Sequence, residues 1–158
     1  GEYMVGICTG SSDADTDLVS EVIRQEPMVI IPSGLQSIKY KPGKPLQVLT
    51  IESRSGAWGS IEENMQRLNL SRVVSVESFF AVAQMALSDF GHGLVPIGVA
   101  HTLGIDDKAL IKLPRQHATR PTLTRPVRFV ARKSMFAQVL VRSFYAEASM
   151  HAAAMDVD

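Results

Sequence analysis

Three short segments carry residue types able to hold a small polar ligand. Ser53-Arg54-Ser55-Gly56 sets two hydroxyls and one cation beside a glycine. Glu77-Ser78-Phe79 joins a carboxylate, a hydroxyl and a ring, and Thr9-Gly10-Ser11 flanks a glycine with two more hydroxyls. Hydroxyls and unpaired backbone N–H groups at a helix start donate to oxyanions, and arginine matches a carboxylate. Facing each other, these segments suit a small carboxylate or another polar metabolite. The same serines are also ordinary helix N-caps by type, so both readings stand at this level.

Other chemistry has less support. His92, His101, His117 and His151 lack metal-ligand spacing, and Cys8 has no CxxC partner. Neither a metal nor a cofactor is expected. Gly91-His92-Gly93 follows a helical pattern and lacks the third glycine of a dinucleotide fingerprint. No G-x-S-x-G and no P-loop is present. A catalytic alternative would use Ser53 or Ser55 as nucleophile at a helix start, but no motif supplies its base, so the chain does not read as an enzyme. Cys8, at the end of an apolar strand, reads as packing. Trp58 reads as a helix-to-sheet core residue.

These segments need strands that end beneath them and helices that start there. Val73, Val74 and Val76 form a β-branched run. Ser75 or Ser78 can cap the helix that follows, in which Phe79, Val82, Ala83, Ala86 and Phe90 share one face. Gly91 suits a left-handed C-cap, and Gly93-Leu94-Val95 reads as a buried strand closed by Pro96. Such a β-α-β unit belongs to a parallel, helix-covered sheet. Elsewhere, Tyr3–Cys8 reads as a short buried strand, 18–31 as an extended strand and Leu46–Ile51 as another. Trp58, Ile61, Met65 and Leu68 mark a helix ended by Asn69. Leu110–Leu113 reads as a strand, and Pro114–Arg125 as irregular. Val127, Phe129 and Ala131 then make the buried face of a strand, and Met135–Met155 a long helix capped by Ser134.

The chain of 158 residues is neutral overall but polarised along its length. Up to residue 107 there are 7 basic and 13 acidic residues, a balance of −6; from 108 onward there are 9 and 3, a balance of +6. Opposite charges can neutralise each other across a folded interface, or the basic part can form an anion-attracting rim or a surface facing DNA. A neutral chain is a poor stand-alone DNA binder. No apolar run reaches the roughly 18 residues of a membrane helix, so no membrane is expected as partner. Residues 1–20 lack a basic start and an apolar core. The single cysteine fits a reducing cytoplasm.

Several motifs follow one another along the chain: Gly1-Glu2-Tyr3-Met4-Val5-Gly6-Ile7, Gln25-Glu26-Pro27-Met28-Val29-Ile30-Ile31, and Gly91-x-Gly93-Leu94-Val95-Pro96 followed by Leu103-Gly104-Ile105. Arg120-Pro121 and Arg125-Pro126-Val127-Arg128-Phe129-Val130 come next, then Ser134 onward. In order and spacing this resembles the effector-binding domain of LysR-type transcriptional regulators over nearly the whole chain. Met4 stands where that family usually has Asp. The resemblance implies an α/β, type 2 periplasmic-binding-protein-like fold. It implies one complete βα subdomain plus the terminal strand and helix of the other. Residues 1–30 would be the end of the first subdomain and a hinge crossing, 31–120 the second subdomain, and 121–158 the return crossing and C-terminal helix. The chain would then be a fragment without the helix-turn-helix head and the start of the first subdomain. It would expose apolar surface there, and its effector cleft would lack one wall.

The resemblance further implies a small-molecule effector, anionic or otherwise polar, with Thr9, Gly10, Ser11, Ser53, Arg54, Ser55, Gly56, Glu77, Ser78 and Phe79 helping to line the inducer cleft. DNA would be reached only through the absent helix-turn-helix domain. The full-length protein would be a homodimer or homotetramer. A type 2 periplasmic-like solute-binding protein, which shares the fold, is the alternative.

Overall fold

A computed structural model describes residues 5–9, 17–41, 43–51, 57–116, 120–121 and 123–155, leaving aside the side chains of 57–60, 115–116 and 120–121. In chain order the elements are β1 (Val5–Thr9), β2 (Leu18–Ile31), β3 (Leu46–Ile51), α1 (Ala57–Arg67), β4 (Leu70–Val76), α2 (Phe79–Leu87), β5 (Gly93–Pro96) and α3 (Ile97–Thr102). Then come β6 (Ile111–Lys112), β7 (Arg115–Gln116), β8 (Arg120–Pro121), β9 (Thr124–Arg132), α4 (Lys133–Phe136) and α5 (Val139–Ala154). The chain divides into two compact units: Gly1–Gln25, Ser55–Ala57 and Pro126–Asp158 make one, and Glu26–Arg54 with Trp58–Arg125 the other.

In the second unit β3 is central. It pairs parallel with β4 on one side and with β5 on the other, and β2 pairs antiparallel with both β5 and β6. The expected β4–α2–β5 unit is therefore present, but its two strands flank β3 instead of touching. Side-chain alternation along β2 explains the two cores. Met28 and Ile30 join Val48, Ile61, Met65 and Leu68 on the α1 face. Val29 and Ile31 join Leu49, Val82, Ala83 and Ala86 on the α2 face. Because both faces are covered, the end of β2 reads as an unbroken apolar run. The edge strand β4 is more open, with Val73 49% and Val74 43% exposed.

Asn69, in the left-handed region at φ +54°, stops α1 as its position suggested. At the end of α2 the left-handed residue is Asp89 (φ +65°), not Gly91. The helix stops at Leu87, so Phe90 never joins the buried face and is 73% exposed. Gly91 has φ +150°, and a Cβ there would meet the Leu49 side chain at 3.4 Å. It allows β3 to approach, with the Leu49 N–H donating to the His92 carbonyl at 2.7 Å. Within Pro114–Arg125, β7 and β8 pair antiparallel, so this stretch holds a small hairpin that its two prolines obscured.

In the first unit the strand order is β1-β9-β2. Phe129, Ala131 and Val141 form the core, with Val5, Ile23, Phe136 and Tyr145 against it. Three expectations change here. β1 is not buried: it is an edge strand paired with β9 from Val5↔Ala131 to Thr9↔Val127, and Ile7 is 56% exposed. The C-terminal helix is broken into α4 and α5 by an extended Gln138 (ψ 141°). Ser134 caps neither, since the N-cap residues are Arg132 and Gln138. The break has a packing reason. In one continuous helix Phe136 and Tyr145 would point to opposite faces. As built, both rings meet Phe129, at 6.3 and 5.3 Å between centroids. On the outside of α5, Val139 (78%), Leu140 (81%) and Met150 (62%) are exposed.

Candidate functional site

In the second unit the chain leaves β4 and β5 at their carboxyl ends and enters α2 and α3. In α/β sheets this edge gathers helix N-termini, and ligands bind there. Ser78 is the N-cap of α2, its Oγ accepting the Ala81 N–H at 3.1 Å. Thr50, fully buried near the end of β3, donates through Oγ1 to the Leu94 carbonyl at 3.2 Å and ties β3 to β5.

The pairing of β2 with β5 brings two further charges to this edge. Met28 lies opposite Pro96, so Glu26 falls beyond the end of β5, level with the first turn of α3. Its Oε1 accepts the Gly98 N–H at 3.1 Å, and its Oε2 accepts Nε–H of Arg125 at 2.6 Å. The pair is well shielded, with side chains 8% and 21% exposed. Arg125 is drawn beside β2 because the Met28 N–H donates to the Leu123 carbonyl at 2.9 Å. The Arg125 guanidinium carbon stands 5.3 Å from the centre of the Phe79 ring, the first residue of α2. One network thus joins β2, α2, α3 and the start of β9.

Gly98 is essential to that network. A Cβ on it would lie 2.5 Å from Glu26 Oε1, an atom with no freedom to retreat while Oε2 holds Arg125. Gly98→Ala is expected to destabilise the second unit by about 1–3 kcal/mol, readable as a lowered urea midpoint.

Of the residues expected at the site, Glu77 and Ser78 are exposed and Phe79 is half-buried, consecutive at the start of α2. Thr9 ends β1 in the first unit and is exposed. Gly10, Ser11, Ser53, Arg54, Ser55 and Gly56 lie outside the described residues. Glu26, Gly98 and Arg125 were not singled out as site residues. The available signal was an acid abutting the apolar run Pro27–Ile31, where a buried charge demands a partner.

Other titratable groups of the second unit make contacts of their own. Nδ1 of His92 accepts the Ser33 N–H at 3.0 Å, while the Ser33 hydroxyl donates to Asp89 at 2.7 Å. Past the end of α3, Asp107 takes Lys112 at 2.6 Å and His101 at 2.7 Å. Hydrogen bonds from Lys112 first and His101 second hold the Asp107 carboxyl below its ordinary value of 3.8. A carboxyl depressed in the folded state adds stability above its unfolded value and loses it as pH falls through the folded one. A small loss of stability below about pH 3.8, absent in Asp107→Asn and weakened by salt, is expected in acid titrations of the melting temperature. Among the described residues no group of three or more His, Cys, Asp or Glu could hold a metal. None of their helices is long and apolar enough to cross a membrane.

The second unit is thus a mixed α/β sheet with helices starting at its carboxyl edge, where a shielded ion pair stands beside an aromatic ring. Residues 1–153 match the family model described as the LysR substrate binding domain, and the chain belongs to that family. No curated protein matches the chain. Among solved structures, a sulfate-bound variant of the OxyR2 regulatory domain from Vibrio vulnificus is similar at 20% identity, with 92% of this chain and 69% of that one covered and a TM-score of 0.59. The effector binding domain of QuiR in complex with shikimate is similar at 13% identity, covering 95% and 72%, TM-score 0.61. CbnR, a LysR family transcriptional regulator, is similar at 17% identity, covering 94% of this chain and 52% of that one, TM-score 0.61. At these identities the likeness is one of fold, the type 2 periplasmic-binding-like α/β fold expected from the sequence.

Proposed function

We propose that this LysR substrate-binding domain senses a small metabolite, anionic or otherwise polar, and passes the binding event to a DNA-binding transcriptional regulator. The observation that carries this is the carboxyl edge of the second unit's sheet, where Ser78, Phe79 and Arg125 meet around the start of α2. Family membership favours this role over the solute-binding alternative. The role is regulatory, not catalytic: binding acts through the ligand's different affinities for two states of the regulator. QuiR's effector domain holds shikimate and the OxyR2 domain sulfate, both oxyanions, which supports an anionic effector.

The effector-contacting set is Thr9, Gly10, Ser11, Ser53, Arg54, Ser55, Gly56, Glu77, Ser78 and Phe79. Residues 31–120 form the second subdomain, and 1–30 with 121–158 the first subdomain's end and the two crossings. The complete regulator works in the cytoplasm as a homodimer or homotetramer and meets DNA through a helix-turn-helix part.

A thermal-shift screen of the 158-residue chain against small metabolites tests the reading. A ligand at 100 times its Kd is expected to stabilise the folded chain by about 2.7 kcal/mol. A screen of polar and anionic metabolites in which none raises the melting temperature would count against it.

A further inference from the structure

We propose that Arg125 is the anion-recognition group of this site and Glu26 its positioning residue, so that the domain selects effectors bearing a carboxylate or a similar oxyanion. The inference rests on the effector-sensing reading and gives it a chemical specificity.

A guanidinium has five N–H donors, and bidentate recognition of an oxyanion uses two of them held in one plane. In Arg125 the Nε–H is committed to Glu26 Oε2 at 2.6 Å. Nη1 and Nη2 make no hydrogen bond to any described residue. Two contacts fix the plane. One is Glu26, itself anchored because Oε1 takes the Gly98 N–H at 3.1 Å. The other is the Phe79 ring, 5.3 Å from the guanidinium carbon. The guanidinium is therefore restrained from two sides.

Burial differs between the partners in the direction this role needs. The Glu26 side chain is 8% exposed and that of Arg125 is 21% exposed, so the cation keeps an open side and the carboxylate does not. Glu26 also divides its charge between the guanidinium and a backbone N–H, which leaves Arg125 attractive to a second anion. An arrangement serving only to fasten two strands needs no Nη pair left without a hydrogen bond to the described residues, beside an aromatic ring at the start of α2. Lysine could keep the ion pair with Glu26, but not the fork.

The test is a titration of the 158-residue chain, followed through the backbone amide resonances of Ser78–Val82. The probes are acetate, benzoate, shikimate and sulfate, with methyl benzoate and methyl shikimate as neutral counterparts. Arg125→Lys tests the fork, and Glu26→Gln/Arg125→Gln removes the pair without stranding a buried charge. The expected result is saturable shifts from at least one carboxylate, at least tenfold weaker with its methyl ester and at least tenfold weaker in Arg125→Lys. Binding should be lost in the double variant, while Glu26→Gln alone weakens it with the fold intact. Undiminished carboxylate binding in Arg125→Lys or in the double variant would overturn the proposal, as would equal binding of acid and ester. A neutral probe that shifts these amides equally in all variants would overturn the anion preference and leave the effector site standing. Shifts from none of the probes would count against both.

Discussion

Arg125→Met should lower the stability of the second unit by about 3 kcal/mol, because it leaves the Glu26 carboxylate buried without its cation. Among the described residues Glu26 would retain only the Gly98 N–H at 3.1 Å. The loss should be carried mostly by that stranded charge and not by the missing attraction. Glu26→Gln/Arg125→Met should therefore recover much of it, since an amide still accepts from Gly98 and nothing ionic remains unpaired. Amide exchange at Met28–Ile31, buried in this unit, followed in a urea series reports the relevant transition. A double-mutant cycle on the four proteins gives the coupling. If the double variant were as unstable as the sum of the singles, the pair would not be acting as a unit.

Phe129→Ala should be the most damaging change in the first unit, by about 3–5 kcal/mol. The ring is fully buried, and its centroid lies 6.3 Å from that of Phe136, 5.9 Å from Phe144 and 5.3 Å from Tyr145. Each such pair adds to area burial by about 0.5–1.5 kcal/mol. Those three rings stand on α4 and α5, so truncation removes the surface both helices pack on. Loss of amide protection along Val139–Ala154, with protection in Met28–Ile31 unchanged, is the expected signature in hydrogen exchange. Phe129→Leu should retain much of the protection.

Much of the fold could be read from local pattern. The bounds of β2 and β3 and the stop at Asn69 each follow from residues within a few positions, and so does the narrowing of the α2 cap to Ser75 or Ser78, of which the structure uses Ser78. What could not be read depends on distant partners. α4 and α5 separate because Phe136 and Tyr145 must reach the same Phe129, which the apolar spacing from Met135 to Met155 does not reveal. The exposure of β1 follows from its place at the sheet edge, and its composition resembles that of a buried strand. Asp89 took the left-handed position that Gly91 suited better by type, because Gly91 was needed against Leu49. The site divides in the same way. The start of α2 at Glu77-Ser78-Phe79 was visible as a helix cap beside chemistry-bearing residues. Arg125 was not, because it reaches Glu26 across 99 positions of sequence.

The most direct test is hydrogen–deuterium exchange of the 158-residue chain with and without the strongest ligand from the metabolite screen. Added protection is expected to concentrate at the carboxyl edge of the second unit's sheet, in peptides covering 76–82, 96–99 and 123–126. Protection confined to other segments, with these three unchanged at saturating ligand, would contradict it.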